Sequence, residues 1–213
     1  MPFCVGLDLG QSADYTALAV VQESEGGELR LRHLERYKLR TPYPEQADAV
    51  AALMRDERLV VEHRDPWDPT PRLERPELVV DATGVGRAVT DLLTTKGLKF
   101  RAVTITGGAS VTAVAGGYHV PKRDLVAALE VPFHTGALKV AEGLELWPAL
   151  RKELLAFRRK INLKTAHDSY EHWRDSDHDD LVLAVALACW WVRRRQSRMV
   201  RVDPSVMRKP PGF

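Results

Sequence analysis

The sequence predicts a mixed α/β fold, and three observations predict it. Three strand-like runs follow one another across turn signals within the first forty residues. Beyond them, short apolar strands alternate with amphipathic helical segments, and an apolar helix with an acidic start and a basic end closes the pattern. At 213 residues and 45% hydrophobic composition, the chain can bury one sizeable core.

The elements follow in order. Pro2 to Leu9 and Ala17 to Gln22 are apolar runs of strand length. Leu29 to Leu39 is a third, in which Leu29, Leu31 and His33 alternate with Arg30, Arg32 and Leu34. With Gly26 and Gly27 as a turn, the three read as an antiparallel meander. Pro44 to Arg58 is helical by the spacing of Ala47, Val50, Ala51 and Met54. Glu62 to Pro76 is rich in proline and charge and reads as a surface loop or insertion. Glu77 to Ala82 is a short apolar strand ending in an acid, followed by a Thr83 to Gly86 turn and a helix from Arg87 to Lys96. Lys99 to Thr106 is a further strand. The glycine pairs at 107–108 and 116–117 then bracket a hairpin or flexible loop. A helix from Lys122 to about Leu129, a strand at Ala137 to Val140 and a charged helix from Trp147 to about Lys160 lead to the last helix, SDHDDLVLAVALACWWVRRR. Its acidic first turn and basic last turn suit the helix dipole.

Composition narrows the function classes. A net charge of +2 permits an anionic partner without requiring one. Arg193, Arg194, Arg195, Arg198, Arg201, Arg208 and Lys209 crowd the end of the chain with Asp203 as the only acid among them. This basic stretch reads either as a solvated tail or as a nucleic-acid contact. Cys4 and Cys189 have no metal-ligand spacing and fit a reducing, intracellular setting. The Leu181 to Val192 run is too short to span a bilayer, and no charged segment followed by an apolar one opens the chain, so no membrane partner is expected.

Three acidic features carry the chemistry. Strand alternation puts Cys4, Gly6 and Asp8 on one face and Phe3, Val5 and Leu7 on the other. A carboxylate at such a strand end needs donors, solvent or a cation. Asp8 either caps its own turn through the Gly10 and Gln11 amides or shares a cation, and both readings stand at this point. Asp81 also ends an apolar strand before a glycine-bearing turn, while Asp179 and Asp180 begin the last helix. If the two strands are neighbours, their carboxylates converge and repel. A divalent cation relieves that repulsion, and oxygen-only ligands favour Mg²⁺ or Mn²⁺ over zinc. His119, Lys122 and Arg123, after the glycine-rich hairpin, are candidate phosphate contacts. His178 stands at the start of the last helix, as a cap or an assisting group.

Together, GLDLGQSADYTALAVV, LVVDATGVGRAVTDLL, GGYHVPKRDLV and HDDLVLAVALACWW resemble the nuclease domain of the large terminase subunit of tailed bacteriophages, a member of the RNase H-like superfamily. The resemblance implies an RNase H-like fold of the RuvC and terminase-nuclease type, a mixed central sheet flanked by helices, over residues 1–195 with a basic tail at 196–213. It implies a two-metal-ion endonuclease that cuts double-stranded concatemeric DNA during packaging in the cytoplasm of a bacterial host. On that pattern Asp8, Asp81, Asp179 and Asp180 are the catalytic and metal residues for two Mg²⁺ or Mn²⁺ ions. The superfamily's pattern sets Asp179 as the main helix ligand, with Asp180 on the second ion or its water. A separate terminase ATPase, a small terminase subunit and a portal are the further partners implied. The chain departs from the family in having no GxxxxGK[ST] phosphate loop, so the motor is not expected in it. A fragment, a separately encoded nuclease and a prophage remnant all fit that departure.

Three rivals share features with this reading. A Holliday-junction-resolvase-like nuclease also uses strand-end and helix acids. An actin-like ATPase or sugar kinase also opens with an acid, a glycine and a hairpin, but that architecture needs a longer chain. A catalytically inactive DNA-binding assembly module would keep the fold without the chemistry.

Overall fold

The computed structural model describes residues 2–10, 14–24, 26–65, 68–84, 86–164 and 179–200. The elements are β1 (Phe3–Asp8), β2 (Ala17–Glu23), β3 (Leu29–Arg36), α1 (Tyr43–Met54), β4 (Val61–Asp65), β5 (Asp68–Glu74), β6 (Glu77–Asp81), α2 (Gly86–Thr95), β7 (Phe100–Thr106), β8 (Thr112–Val114), β9 (Gly117–Pro121), α3 (Lys122–His134), β10 (Leu138–Val140), α4 (Trp147–Lys164) and α5 (Asp180–Val200). A 3-10 turn at Glu57–Leu59 follows α1. An 8-stranded sheet has the order β10-β3-β2-β1-β6-β7-β9-β8. β1, β2 and β3 form an antiparallel meander, while β6, β7 and β9 extend the sheet from β1 in parallel.

The alternation along β1 sorts two cores. Cys4 belongs with α5, α3 and α4 on one face, and Phe3, Val5 and Leu7 pack with residues of α1 and α2 on the other. Helix α5 lies against the first face so closely that a Cβ placed on Gly6 would sit 2.0 Å from Ala184 O and 3.0 Å from Ala188 N. Only a residue without a side chain allows that approach of helix to strand. Leu181 to Val192 is buried almost all round apart from Leu183, as the apolar composition of this central helix requires.

The structure departs from the expected elements in four places. The Glu62 to Pro76 stretch forms the β4–β5 hairpin, a two-stranded sheet, instead of a loop. Its prolines are accommodated because both strands of such a sheet are edges. In β3 the alternation fails midway. Val21 pairs with Leu31 and Val20 with His33, so Arg32 is an extra residue opposite β2. This bulge exposes His33 and turns Leu34 and Arg36 toward the α5 face. Helix α3 extends past Leu129 to His134. Helix α5 continues past Arg195 to Val200, and two of its arginines are engaged by other elements. Arg195 Nη1 donates to Glu77 Oε2 at 2.9 Å and Nη2 donates to Glu23, while the Arg194 guanidinium lies 4.5 Å from the centre of the Tyr118 ring. Among the described residues, no helix is long and apolar enough to cross a membrane.

Candidate active site

The carboxyl edge of the sheet carries the acids. In the parallel pairing of β1 with β6, Asp8 stands directly opposite Asp81. Neighbouring strands are about 4.8 Å apart, and lateral partners present their side chains on the same face. The row continues through Val103 to Tyr118 on one side, and through Ala17 to Arg36 on the other. Both acids are buried, at 8% and 7% exposure.

The packing of α5 brings in a third. Ala184 and Ala188 touch Gly6, and Asp180 occupies the same i, i+4 row one turn earlier. Moving from Gly6 to Asp8 covers about 6.6 Å of strand, and moving from Ala184 back to Asp180 covers about 6 Å of helix. Asp180 therefore faces Asp8 and is buried, whereas Asp179 is half-buried at the helix start and accepts the Leu183 amide through its backbone carbonyl at 2.9 Å. Burial, and then the Asp81, Asp180, Asp179 and Asp14 carboxylates, push Asp8 well above the ordinary carboxylate range.

Local chemistry holds these acids in place. Asp81 Oδ1 accepts the Thr83 amide at 2.7 Å, and the Thr83 hydroxyl accepts the Ile105 amide at 2.8 Å, tying the β6 turn to β7. Gly84 completes that turn with φ 77°. At the end of β1, the Gly10 amide donates to Thr16 Oγ1 at 3.0 Å and Tyr43 OH donates to the Gly10 carbonyl at 2.8 Å. The amide of Gly10, one of the two that a self-capping Asp8 would use, is thus engaged by Thr16.

Two residues of this neighbourhood were not singled out in the sequence. Glu153 of α4 is buried, and its Oε2 accepts the Leu181 and Val182 amides at 3.1 and 3.3 Å, capping α5 from another helix. Its Oε1 accepts from Arg36 Nη2, and the same nitrogen lies 3.6 Å from Asp180 Oδ2. Burial pushes Glu153 up to about 7, against the pull of Arg36. Neither residue carries a local motif; Arg36 depends on the β3 bulge and Glu153 on a contact 117 residues away.

The other expected site residues sit apart from this cluster. His119 is exposed and, being next to Tyr118 on β9, faces away from α5. Lys122 and Arg123 open α3 at the same sheet edge as the acids; Arg123 donates to the Ala109 carbonyl and lies 3.6 Å from Asp124. His178 lies outside the described residues. Among the described residues, no three His, Cys, Asp or Glu side chains stand in the arrangement of a formed metal site. The donor set itself, mutually repelling carboxylates without nitrogen or sulfur, suits a hard divalent cation such as Mg²⁺ or Mn²⁺.

No protein-family model matches the chain, and no curated protein is significantly similar to it in sequence. Solved structures do match. The large terminase nuclease from thermophilic phage G20c superposes with a TM-score of 0.50 at 18% identity, over 88% of this chain and 80% of that one. The human cytomegalovirus terminase nuclease domain, Mn-soaked and inhibitor-bound, matches with a TM-score of 0.49 at 17% identity, over 89% and 82%. T. thermophilus RuvC in complex with Holliday junction substrate matches with 0.41 at 16% identity, over 91% and 96%. The mixed sheet, its flanking helices and the superposition on the phage G20c protein agree: this chain has the RNase H-like fold of a large terminase nuclease.

Proposed function

We propose that the chain is a divalent-metal-dependent endonuclease that hydrolyses phosphodiester bonds of double-stranded DNA. The observation that carries this reading is the lateral pairing of Asp8 with Asp81 at the carboxyl edge of the sheet, facing Asp180 at the start of α5. The fold shared with the phage G20c nuclease supports it. Asp8, Asp81 and Asp180 would hold the cation, with Asp179 at the second ion or its water. In this assignment Asp180 is the main helix ligand, the reverse of the order that the superfamily pattern implies, because Asp180 shares the Ala184 and Ala188 row.

When bound, two Mg²⁺ or Mn²⁺ ions supply the charge that stabilises the attacking and leaving oxygens of a phosphodiester. The protein's own contribution is to hold the carboxylates. Thr83 orients Asp81, the α5 backbone aims Asp180, and the positive end of α5 favours negative charge beside it. Lys122 and Arg123, two strands from β6 on the same edge, would meet backbone phosphates. The role extends to cutting concatemeric DNA in a bacterial host, beside a separate packaging ATPase, small subunit and portal.

The test is plasmid cleavage by the purified protein with Mn²⁺, with and without EDTA, for the parent, D8N, D179N and D180N. Asparagine keeps the shape and removes the charge that binds a cation. Cleavage should require Mn²⁺, vanish in D8N and D180N, and persist in weakened form in D179N. Intact plasmid with the parent protein overturns the nuclease reading; a dead D179N beside an active D180N exchanges the two helix roles.

A further inference from the structure

The β3 bulge has a chemical consequence. In an uninterrupted strand Leu29, Leu31, His33 and Glu35 would share the α5 face, and an acid would point at Asp180. The extra residue at Arg32 shifts the alternation, so that Arg36 takes the lateral row of Ala17 and Asp8. A cation replaces an acid beside the carboxylates. Bulges next to functional sites re-aim side chains in this way.

Arg36 is held on three sides. Its Nη2 donates to Glu153 Oε1 and lies 3.6 Å from Asp180 Oδ2, and its guanidinium carbon sits 5.1 Å from the centre of the Tyr15 ring. Glu153 in turn grips the Leu181 and Val182 amides, the two residues that follow Asp180. The backbone on the C-terminal side of Asp180 and one of its carboxylate oxygens are thus tied to the same Arg36–Glu153 pair, which is itself largely buried, with 19% and 8% side-chain exposure. An arginine suits this position because its planar guanidinium lies over the Tyr15 ring, which aims Nη2 between the two carboxylates, whereas an ammonium is a single flexible charge.

We infer that Arg36 and Glu153 are positioning residues for the nuclease site, fixing the Asp180 carboxylate so that it can serve as a cation ligand. The inference rests on the nuclease reading. It opposes a simpler role in which Arg36 only balances negative charge. A positive charge near a cation site repels the ion, so a pure charge-balancing arginine would hinder cation uptake, while a positioning arginine assists it.

Arg36→Lys and Glu153→Gln separate the two roles, since the first keeps the charge and loses the planar guanidinium held over Tyr15, and the second keeps the shape. Mn²⁺ uptake is measured by calorimetry without DNA, and plasmid cleavage is resolved into kcat and KM, on variants whose melting curves show a folded chain. Both variants should bind Mn²⁺ about tenfold more weakly and lose at least tenfold in kcat, with KM for plasmid within twofold of the parent, the size of effect that supporting groups around metal ligands usually have. If Arg36→Lys does not fold, Arg36→Gln decides, because lost positive charge alone would tighten Mn²⁺ binding whereas lost positioning weakens it. Parent-like Mn²⁺ binding and kcat in the folded variants, or tighter Mn²⁺ binding, overturn the positioning role and leave the nuclease reading intact. A parent protein that takes up no Mn²⁺ overturns both.

Discussion

Gly6→Ala tests the contact on which the site geometry depends. The added Cβ would lie 2.0 Å from Ala184 O, 3.0 Å from Ala188 N and 3.1 Å from the Ala184 carbonyl carbon, all of them backbone atoms that cannot rotate away. Carbon–oxygen contacts settle near 3.3 Å, so α5 must retreat from β1 by roughly 1.3 Å. A gap of 0.5–1 Å already forfeits about a quarter to a half of a dispersion contact. Overpacking of this kind costs about 1–3 kcal/mol, and the rigid obstacle places this site at about 3. The loss of unfolded-chain freedom on replacing glycine returns less than about 1 kcal/mol. For a chain of this size each kcal/mol moves the melting temperature by about 2–4 °C, so a net loss of about 2–3 kcal/mol gives a fall of roughly 4–12 °C. Thermal denaturation followed by circular dichroism measures it, with Gly26→Ala as control, because nothing lies within 4 Å of a Cβ there. Nuclease activity of Gly6→Ala, assayed well below its melting temperature, should fall as Asp180 is carried away from Asp8. A Gly6→Ala protein that melts within about 2 °C of the parent would refute the close packing of α5 on β1.

Two further outcomes follow from the charge network. Asp8 and Glu153 both titrate above their ordinary values when folded, so the folded state keeps protons that the unfolded chain has released above about pH 4.5. The Glu153 contribution is full below that pH and is lost as pH rises through about 7, at up to about 1.4 kcal/mol per pH unit, and Asp8 acts in the same direction. Metal-free parent protein should therefore lose more stability between pH 5 and pH 7 than Glu153→Gln does; denaturant melts with equal slopes for the two proteins would count against it. Arg195→Met leaves Glu23 and Glu77 without their shared guanidinium at the far end of α5, and urea unfolding should show a loss of about 3 kcal/mol. A change under about 0.5 kcal/mol would mean that the cluster is solvated and weak.

How much of this was legible in the sequence depends on the range of the interaction. Asp8 could be placed because period-two alternation is local: the face shared with Gly6 follows from the order of residues alone, and the structure puts α5 on that face. The pairing of β1 with β6 needed two similar strand ends to be recognised as neighbours. Arg36 was out of reach because a bulge shifts the alternation without leaving a glycine or proline to mark it, and Leu34 took the buried place expected for His33. Glu153 was out of reach because a capping residue is ordinarily sought within its own helix, and this cap comes from α4. The β4–β5 hairpin was hidden by its prolines, which exclude a central strand but not a pair of edges. Arg195 did not stand out from the basic stretch around it, because its partners Glu23, Glu74 and Glu77 lie on strands far away in sequence.

The same geometry bears on whether the acids are scaffold or chemistry. Buried carboxylates side by side lower the stability of the fold that contains them, and well-packed apolar residues at such positions are often neutral or stabilising in their place. Here the surroundings are built to keep them. A Thr83 side chain links the Asp81 turn to β7, a glycine lets α5 reach β1, a bulge turns Arg36 inward, and Glu153 anchors the first amides of α5. Each device spends local regularity of strand or helix on the arrangement at one sheet edge. The capping of α5 accounts for Glu153, but the acids at the strand ends belong to neither hydrophobic core. Departures from local rules that converge on one point are what a functional site would require. A cation held between the carboxylates would turn their repulsion into binding energy, which is why metal uptake by the folded chain is the measurement on which the nuclease reading turns.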